Sequence, residues 1–192
     1  GAQSEVQIYG NAFHAGLEAY VQHYENFKTY QEDYFYVRAF EFLDRSDLLE
    51  WRKKYYKDEL KTHFPLVSER IRETKRDQSF VEYGFGLGSG QEKVFLGDIA
   101  LKGKIDRIDL SNDGTLVVHD YKSSKLSKMS LSYELQLRFY SVILSLSSRF
   151  ASYPIKSFVL DALHSHNWAP LISHSLFPQS SEIERDKAII AY

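Results

Sequence analysis

Apolar residues in the first part of the chain recur at helical spacing. Between Asn11 and Tyr24 they fall three and four residues apart, on one face of an α-helix. Residues 32–63 are rich in aromatic and charged residues and contain neither Gly nor Pro, which predicts two helices. We expect a break between these helices at Asp44–Asp47, with Ser46 as the N-cap of the second. Pro65 predicts the end of that second helix.

Strand-like alternation then replaces the helical spacing. Residues 79–87 and 93–100 have strand character and flank a Gly88-Ser89-Gly90 turn. Residues 101–122 contain two runs of β-branched and apolar residues on either side of Asn112-Asp113-Gly114, which is typical of an antiparallel hairpin. In the rest of the chain the pattern predicts a helix over 132–147, a strand over 156–162 and a helical or frayed end from residue 181.

The hairpin over residues 101–122 places two acids opposite each other. If its turn is the three-residue Asn112–Gly114 loop, Asp106 faces Asp120 with Cβ atoms about 4.5–5.5 Å apart. Lys122 then lies on the same face, two residues beyond Asp120. A two-residue loop would shift the register by one residue and turn Asp106 to the opposite face of the sheet.

Two carboxylates held this close repel each other, so one stays protonated unless a cation lies between them. Carboxylate oxygens are the ligands that Mg²⁺ prefers in proteins, and Mn²⁺ suits the same oxygen set. The pair therefore favours a metal site, and an ordinary surface hairpin with solvated charges is the alternative that spacing alone leaves open.

Composition narrows the function classes. A chain of 192 residues with 43% hydrophobic and 15% aromatic residues suits one packed globular domain, and no apolar run is long enough to cross a membrane. The chain has no Cys, which excludes disulfides, thiolate catalysis and iron–sulfur clusters and favours a cytoplasmic location. The net charge of −2 provides no overall positive field for nucleic acid, so any contact with DNA must be local or shared with a partner.

Five short motifs, in this order, resemble the RecB/AddB-type branch of the PD-(D/E)XK nuclease superfamily. They are His14 in GNAFHAGLEAY, Glu82 in FVEYGF, Asp106 in GKIDRID, Asp120 and Lys122 in HDYKSSK, and Gln136 and Tyr140 in ELQLRFY. Each motif alone recurs by chance, but their order and spacing over most of the chain make the resemblance specific.

The resemblance implies a restriction-endonuclease-like α/β core, in which a central mixed β-sheet is flanked by helices. It also implies roles for individual residues. The metal would be held by His14, Asp106, Asp120 and the backbone carbonyl of Tyr121, with Glu82 as a further candidate. The catalytic residues would be Asp106, Asp120 and Lys122. Gln136 and Tyr140 would line the DNA path, with Lys125 and Lys128 of the basic connection as further candidates for DNA contacts.

The expected function is that of a DNA nuclease, dependent on Mg²⁺ or Mn²⁺, that leaves 5′-phosphate ends. The resemblance further implies an exonuclease in DNA end processing and recombinational repair. The resemblance also implies that residues 1–192 form a single nuclease domain from a larger helicase–nuclease-type protein, and the lack of the Gly-Lys-Ser/Thr loop of a nucleotide motor fits this expectation. The motor would then be an attached domain or a partner subunit, and no membrane is involved.

Two alternatives remain at the level of sequence. The first is a catalytically inert nuclease-like module that guides DNA or scaffolds a partner. It gives no physical reason to keep a repulsive pair of carboxylates without a cation between them. The second is an unrelated α/β domain that binds a protein or a small ligand, with accidental motif matches.

Overall fold

The computed structural model describes residues 3–122, 131–163, 171–172 and 180–191. Three helices come first: α1 (Glu5–Phe27), α2 (Glu32–Asp44) and α3 (Glu50–Glu73). Helix α1 begins with a capping box, in which the Ser4 hydroxyl accepts from the Gln7 N–H and the Gln7 side chain accepts from the Ser4 N–H. It ends at Lys28, whose backbone is left-handed.

The predicted break between α2 and α3 is confirmed, but two details of the prediction are wrong. Ser46 does not cap α3, because its hydroxyl donates to the carbonyl of Leu43 and the N-cap position is occupied by Leu49. Pro65 does not end the helix and lies inside α3. The side chains of Phe64 and Val67 are buried on either side of it, and this packing holds the helix together across the missing N–H.

A five-stranded mixed sheet follows, with the order β1-β4-β5-β6-β7. Within the described parts of the sheet, only the β5–β6 pair is parallel. The strands are β1 (Gln78–Phe85), β4 (Gly103–Leu110), β5 (Leu116–Lys122), β6 (Ile155–Ala162) and β7 (Leu171–Ile172).

The chain segment that connects β1 to β4 forms a separate two-stranded ribbon. It consists of β2 (Phe95–Leu96) and β3 (Ile99–Ala100). The single strand predicted over 93–100 is therefore wrong, because the chain reverses at Gly97-Asp98. Gly97 has φ +60°, a conformation that suits glycine at the first position of a tight hairpin turn.

The hairpin of β4 and β5 has the three-residue loop. The Ser111 N–H donates to the Thr115 carbonyl at 2.8 Å, the Gly114 N–H donates to the Ser111 carbonyl at 3.0 Å, and Gly114 has φ +80°. Leu110 pairs with Leu116 in the ladder that follows. The register that opposes Asp106 to Asp120 is confirmed, and the register with a two-residue loop is wrong.

Helices cover both faces of the sheet. One core cluster contains residues of α1, α2 and α3 together with Tyr121 of β5. A second cluster packs α4 (Leu131–Leu146) against residues such as Val118, whose side chain leaves β5 on the other face. Helix α5 (Ser180–Ala191) packs on α4. The expected α/β class with a central mixed sheet flanked by helices is thus confirmed. Among the described residues, no helix combines the length and apolar character needed to span a membrane.

Candidate active site

Three acids form a row across neighbouring strands. The β1–β4 register places Glu82 opposite Asp106, and the β4–β5 register places Asp106 opposite Asp120. The regular β4–β5 pairing stops one residue short of Asp106, where its Oδ2 accepts the backbone N–H of Tyr121 at 2.8 Å. The Asp106 carboxylate is close enough for its negative charge to raise the pKa of Asp120, after the larger effect of burial. The side chains of Asp106 and Asp120 therefore come together where the β4–β5 ladder ends.

The backbone of Glu82 is strained. Its φ is +45° in the middle of β1, a left-handed conformation that costs a non-glycine residue about 1–3 kcal/mol. Pairing with β4 continues in the same register on both sides of Glu82, so the strand holds no extra residue. This strain coincides with the point where the Glu82 carboxylate meets the other candidate ligands.

His14 reaches this acid row from α1. Its Nδ1 lies 3.4 Å from Glu82 Oε1 and 3.4 Å from Asp106 Oδ1, and its ring packs edge-on against the ring of Tyr121. Burial lowers the pKa of His14, but the hydrogen bonds and charges of Asp106 and Glu82 outweigh this effect and raise it to about 10. The imidazolium is thus the cation between these acids when no metal is bound.

The ligand atoms are close enough to share one ion. One atom each from His14, Glu82 and Asp106 lie within 4.8 Å of one another. Asp120 lies on the other side of Asp106. Its buried Oδ2 is 2.8 Å from Lys122 Nζ, but the angles are not those of a hydrogen bond. Among the described residues, the group that comes together consists of one imidazole nitrogen and two carboxylates and does not include Asp120, and these nitrogen and oxygen donors suit Mn²⁺ or Mg²⁺. The residues at this site therefore fit a divalent metal.

The two aspartates differ in protonation. Burial and the negative charge of Asp106 raise the pKa of Asp120 to about 7, although Lys122 acts in the opposite direction. Burial also acts to raise the pKa of Asp106, but its hydrogen bond and attraction to His14 lower it below its usual range. The pair therefore keeps a proton on Asp120 near neutral pH, as expected for like charges without a metal between them.

Helix α4 holds the lysine and the neighbouring strand. Lys122 Nζ donates to Gln136 Oε1 at 3.4 Å, and the Gln136 amide donates to the Tyr140 hydroxyl at 3.0 Å. The Tyr140 hydroxyl in turn donates to the backbone carbonyl of Lys104 at 2.8 Å. Because Tyr140 is only 7% exposed, its ring packs in the core and its hydroxyl positions β4. The geometry thus supports a positioning role for Tyr140 beside the path that the resemblance assigns to it.

Two residues near the acid row were absent from the sequence prediction. Lys104 Nζ lies 2.7 Å from Glu82 Oε2, and the attraction to Glu82 raises the pKa of Lys104. Glu18 follows His14 by one helical turn, and burial together with the charge of Glu82 raises its pKa. The sequence contained a signal for each of them. The register that opposes the two aspartates places Lys104 on the same face of the hairpin as Asp106. Glu18 is four residues from His14 and therefore shares its helix face.

Lys125 and Lys128, the other predicted DNA contacts, lie outside the described residues.

A buried polar network supports the opposite side of the two strands. Asp109 accepts from Ser79, from Arg107 at 3.1 Å and from His119 at 2.9 Å, and it is fully buried. Arg107 also donates to the Tyr121 hydroxyl at 2.6 Å. Because Arg107 and His119 directly adjoin Asp106 and Asp120 in sequence, this network ties β4 to β5 immediately behind the acid row.

The mixed sheet, the helices on both faces and the acid row beside a lysine define an α/β protein with a candidate metal-dependent hydrolase site. The chain belongs to the PD-(D/E)XK nuclease superfamily, whose family model matches residues 2–169. Membership implies nuclease activity on DNA, and these nucleases typically use divalent metals such as Mg²⁺ or Mn²⁺. Without Cys, the chain cannot hold an iron–sulfur cluster.

Other comparisons add little to this assignment. No curated protein matches the chain. Among solved structures, the crystal structure of SSO0001 is similar over 99% of this chain and 79% of that chain, with 13% sequence identity and a TM-score of 0.37. A likeness at this level carries no argument about function.

The His14 contacts lead to a prediction about metal affinity. Changing His14 to Gln should weaken Mn²⁺ binding by at least about 10–100-fold, because the site loses its nitrogen ligand. Isothermal titration with Mn²⁺ measures this affinity. His23→Gln is a matched control, because His23 is also buried on α1 but stacks on Tyr34. Equal Mn²⁺ affinity in the His14 variant and the wild type would make His14 a core residue.

Proposed function

We propose that this protein is a Mg²⁺- or Mn²⁺-dependent DNA nuclease of the RecB/AddB branch that leaves 5′-phosphate ends. The observation that carries the proposal is the row of Glu82, Asp106 and Asp120, joined by His14 on one side and Lys122 on the other. Hydrolysis of a phosphodiester requires a nucleophile at neutral pH and compensation for the negative charge that grows on the phosphoryl oxygens.

The metal would be held by His14, Glu82, Asp106 and Asp120, with the backbone carbonyl of Tyr121 as a further ligand. When bound, a divalent ion lowers the pKa of a water molecule and withdraws charge from the phosphoryl oxygens. Asp106 is already oriented for this role by the N–H of Tyr121. His14 and Asp120 must give up their protons to act as ligands, which couples metal binding to pH.

Lys122 provides a cation next to the reacting phosphate. Its side chain is 18% exposed, and its ammonium is held between Asp120, Gln136 and the ring of Tyr133. With Asp120 among the residues that would hold a metal, Lys122 would stabilise the attacking oxygen and the negative charge of the phosphoryl group. Gln136 keeps the ammonium at this position.

The biological setting is part of the same proposal. We infer that residues 1–192 act as one nuclease domain that receives DNA from a helicase motor domain or partner subunit. The net charge of −2 supports this inference, because an isolated domain without a positive field captures DNA poorly. The activity would be that of an exonuclease in DNA end processing and recombinational repair in the cytoplasm.

The test is cleavage of linear and circular DNA with Mg²⁺ or Mn²⁺ and with excess EDTA. We expect linear DNA to be degraded only when the metal is present, with 5′-phosphates on the products. DNA binding without cleavage in Mn²⁺ would identify an inert nuclease-like module, and cleavage in excess EDTA would reject the metal site. Degradation of circular DNA would show internal cutting and contradict the exonuclease assignment.

A lysine variant tests the mechanism further. Lys122→Met should lower the cleavage rate by about 10²–10³-fold, as when one stabilising group is removed from a transition state. Metal binding should be retained, because Lys122 is not a ligand. Lys54→Met, on the exposed face of α3, is the control and should cleave at the wild-type rate. Wild-type cleavage by Lys122→Met would exclude Lys122 from catalysis.

A further inference from the structure

Residues 86–102, here called the 86–102 hairpin, leave the sheet beside the acid row. They connect β1 to β4, whose last pair is Phe85 with Gly103. This pair lies three residues along the strands from Glu82 and Asp106, or roughly 10 Å. A strand of DNA whose phosphate reaches the acid row would therefore pass the base of this hairpin within a few nucleotides.

The hairpin is firmly held at its base. Val94 and Leu101 are each 3% exposed in the second core cluster, and the Leu101 N–H donates to the Val94 carbonyl at 2.9 Å. The Glu92 carboxylate accepts from the hydroxyls of Tyr83 and Ser147, each at 2.9 Å. These contacts give the hairpin a defined position relative to the active site.

The hairpin nevertheless exposes large apolar side chains. Phe95 is 48% exposed and Ile99 is 40% exposed, and Leu87 at the start of the segment is 64% exposed. Phe95 pairs with Ala100 and Ile99 pairs with Leu96, so the Phe95 and Ile99 side chains leave opposite faces of the ribbon, and Phe95 is an exposed aromatic ring on its own face. An aromatic ring with a free face is also the feature with which proteins stack nucleobases.

The same hairpin carries two exposed cations. Lys93 and Lys102 adjoin Val94 and Leu101, whose backbones are joined by a hydrogen bond, so both lysines lie at the base of the ribbon. Lys93 is also two residues from Phe95 along the chain. Within the described parts of the chain neither ammonium has an ion pair, and both lysines are exposed. The hairpin also carries two acids: the Glu92 carboxylate accepts from Tyr83 and Ser147, and Asp98 lies in the turn.

We propose that the 86–102 hairpin binds unpaired nucleobases and flanking phosphates of the DNA strand that enters the active site. A single strand offers a flat apolar base for Phe95 and phosphates for Lys93 and Lys102, whereas the bases of a continuous duplex are covered by stacking and pairing. This proposal rests on the proposed nuclease function and adds that the site takes DNA with unpaired bases next to the cleaved bond.

The first experiment removes the ring. Phe95→Ser and the wild type are compared by fluorescence anisotropy, in EDTA, for binding to a single-stranded 20-mer and to an abasic 20-mer with the same phosphates. We expect the wild type to bind the normal strand about tenfold tighter than the abasic strand. Phe95→Ser should bind both strands alike, and Phe95→Trp should regain the preference.

Phe27→Ser is the matched control, because Phe27 is 67% exposed and lies at the far end of α1. It should keep the wild-type preference for the normal strand. Equal binding of normal and abasic strands by the wild type, or an undiminished preference in Phe95→Ser, would overturn the proposal. An undiminished preference in Phe95→Ser would indicate that the exposed Phe95 ring binds a protein partner instead of a nucleobase.

The second experiment removes the charges. In the double variant Lys93→Gln, Lys102→Gln, the slope of log K against log salt should fall in magnitude by about 1.4, at 0.7 for each contact with single-stranded DNA. An unchanged slope would show that the lysines do not contact phosphates.

The active site is monitored separately with bis(p-nitrophenyl) phosphate, a diester without nucleobases. Phe95→Ser should hydrolyse it in Mn²⁺ at the wild-type rate if the proposed nuclease function is correct. If the wild type hydrolyses neither this diester nor DNA, the proposed nuclease function fails, and the binding measurements in EDTA still decide the role of the hairpin.

Discussion

Replacing Asp120 by asparagine should lower DNA cleavage about a thousandfold and leave the folded protein at least as stable as the wild type. The loss corresponds to about 4 kcal/mol of transition-state stabilisation, which is in the range expected when a metal site loses an anionic ligand. Asparagine has nearly the same shape as aspartate but no charge. The measurement is the single-turnover rate of DNA cleavage in Mn²⁺.

The stability of this variant distinguishes lost chemistry from lost structure. The pKa of Asp120 is raised to about 7, above the value near 3.9 of an unfolded chain. Ionising Asp120 therefore costs folding free energy as the pH rises from about 4 through 7, a cost that asparagine does not have. We expect Asp120→Asn to melt at or above the wild-type temperature at pH 8 in EDTA.

Asp58→Asn, on the exposed surface of α3, serves as the control and should change neither the cleavage rate nor the melting temperature. If Asp120→Asn cleaved DNA at the wild-type rate, Asp120 would not be a ligand and the proposed metal site would fail. A large drop in its melting temperature would instead show that the carboxylate pair stabilises the fold.

Replacing Asp109 by asparagine should lower the free energy of unfolding by about 3–5 kcal/mol at pH 7. Asp109 is fully buried and is the anion that balances Arg107, so removing its charge leaves a buried guanidinium without its partner. Urea denaturation of the two proteins measures the difference. Asp58→Asn, on the exposed surface of α3, is again the control and should change stability by less than about 0.5 kcal/mol.

The pH dependence of this second variant has a defined sign. Burial acts to raise the pKa of Asp109, but the charges of Arg107 and His119 outweigh it and hold this pKa well below its usual range. A lowered pKa contributes stability above the unfolded value near 3.9, and this contribution is lost as the pH falls toward the folded value. The difference between wild type and Asp109→Asn should therefore shrink below about pH 4. A difference under 1 kcal/mol at pH 7 would show that Arg107 finds another partner.

Both predictions concern the same pair of strands from opposite sides. Asp106 and Asp120 point toward the candidate metal site, while Arg107 and His119 point toward Asp109. The buried network thus holds the two strands together at the end of their ladder, and the acids on the other face keep a defined separation. Activity and stability should respond to different substitutions for this reason.

The sequence alone determined the helical stripes and the mixed pattern of helices and strands, and it left two registers for the β4–β5 hairpin, one of which opposes Asp106 to Asp120. These features depend on short-range rules, because apolar spacing identifies the buried face of a helix and the length of a turn sets the register of the strands beside it. The structure decided between the two registers, since the bond from the Ser111 N–H to the Thr115 carbonyl closes a three-residue loop.

Only the tertiary structure decided which groups join this pair. His14 and Glu82 reach Asp106 through the docking of α1 and the positive φ of Glu82, and local spacing encodes neither. The same holds for Tyr140, which is turned into the core, and for Pro65, which is kept inside α3 by the packing around it. Such contacts join residues far apart in the chain and depend on how whole elements pack, so the pattern along the sequence does not specify them.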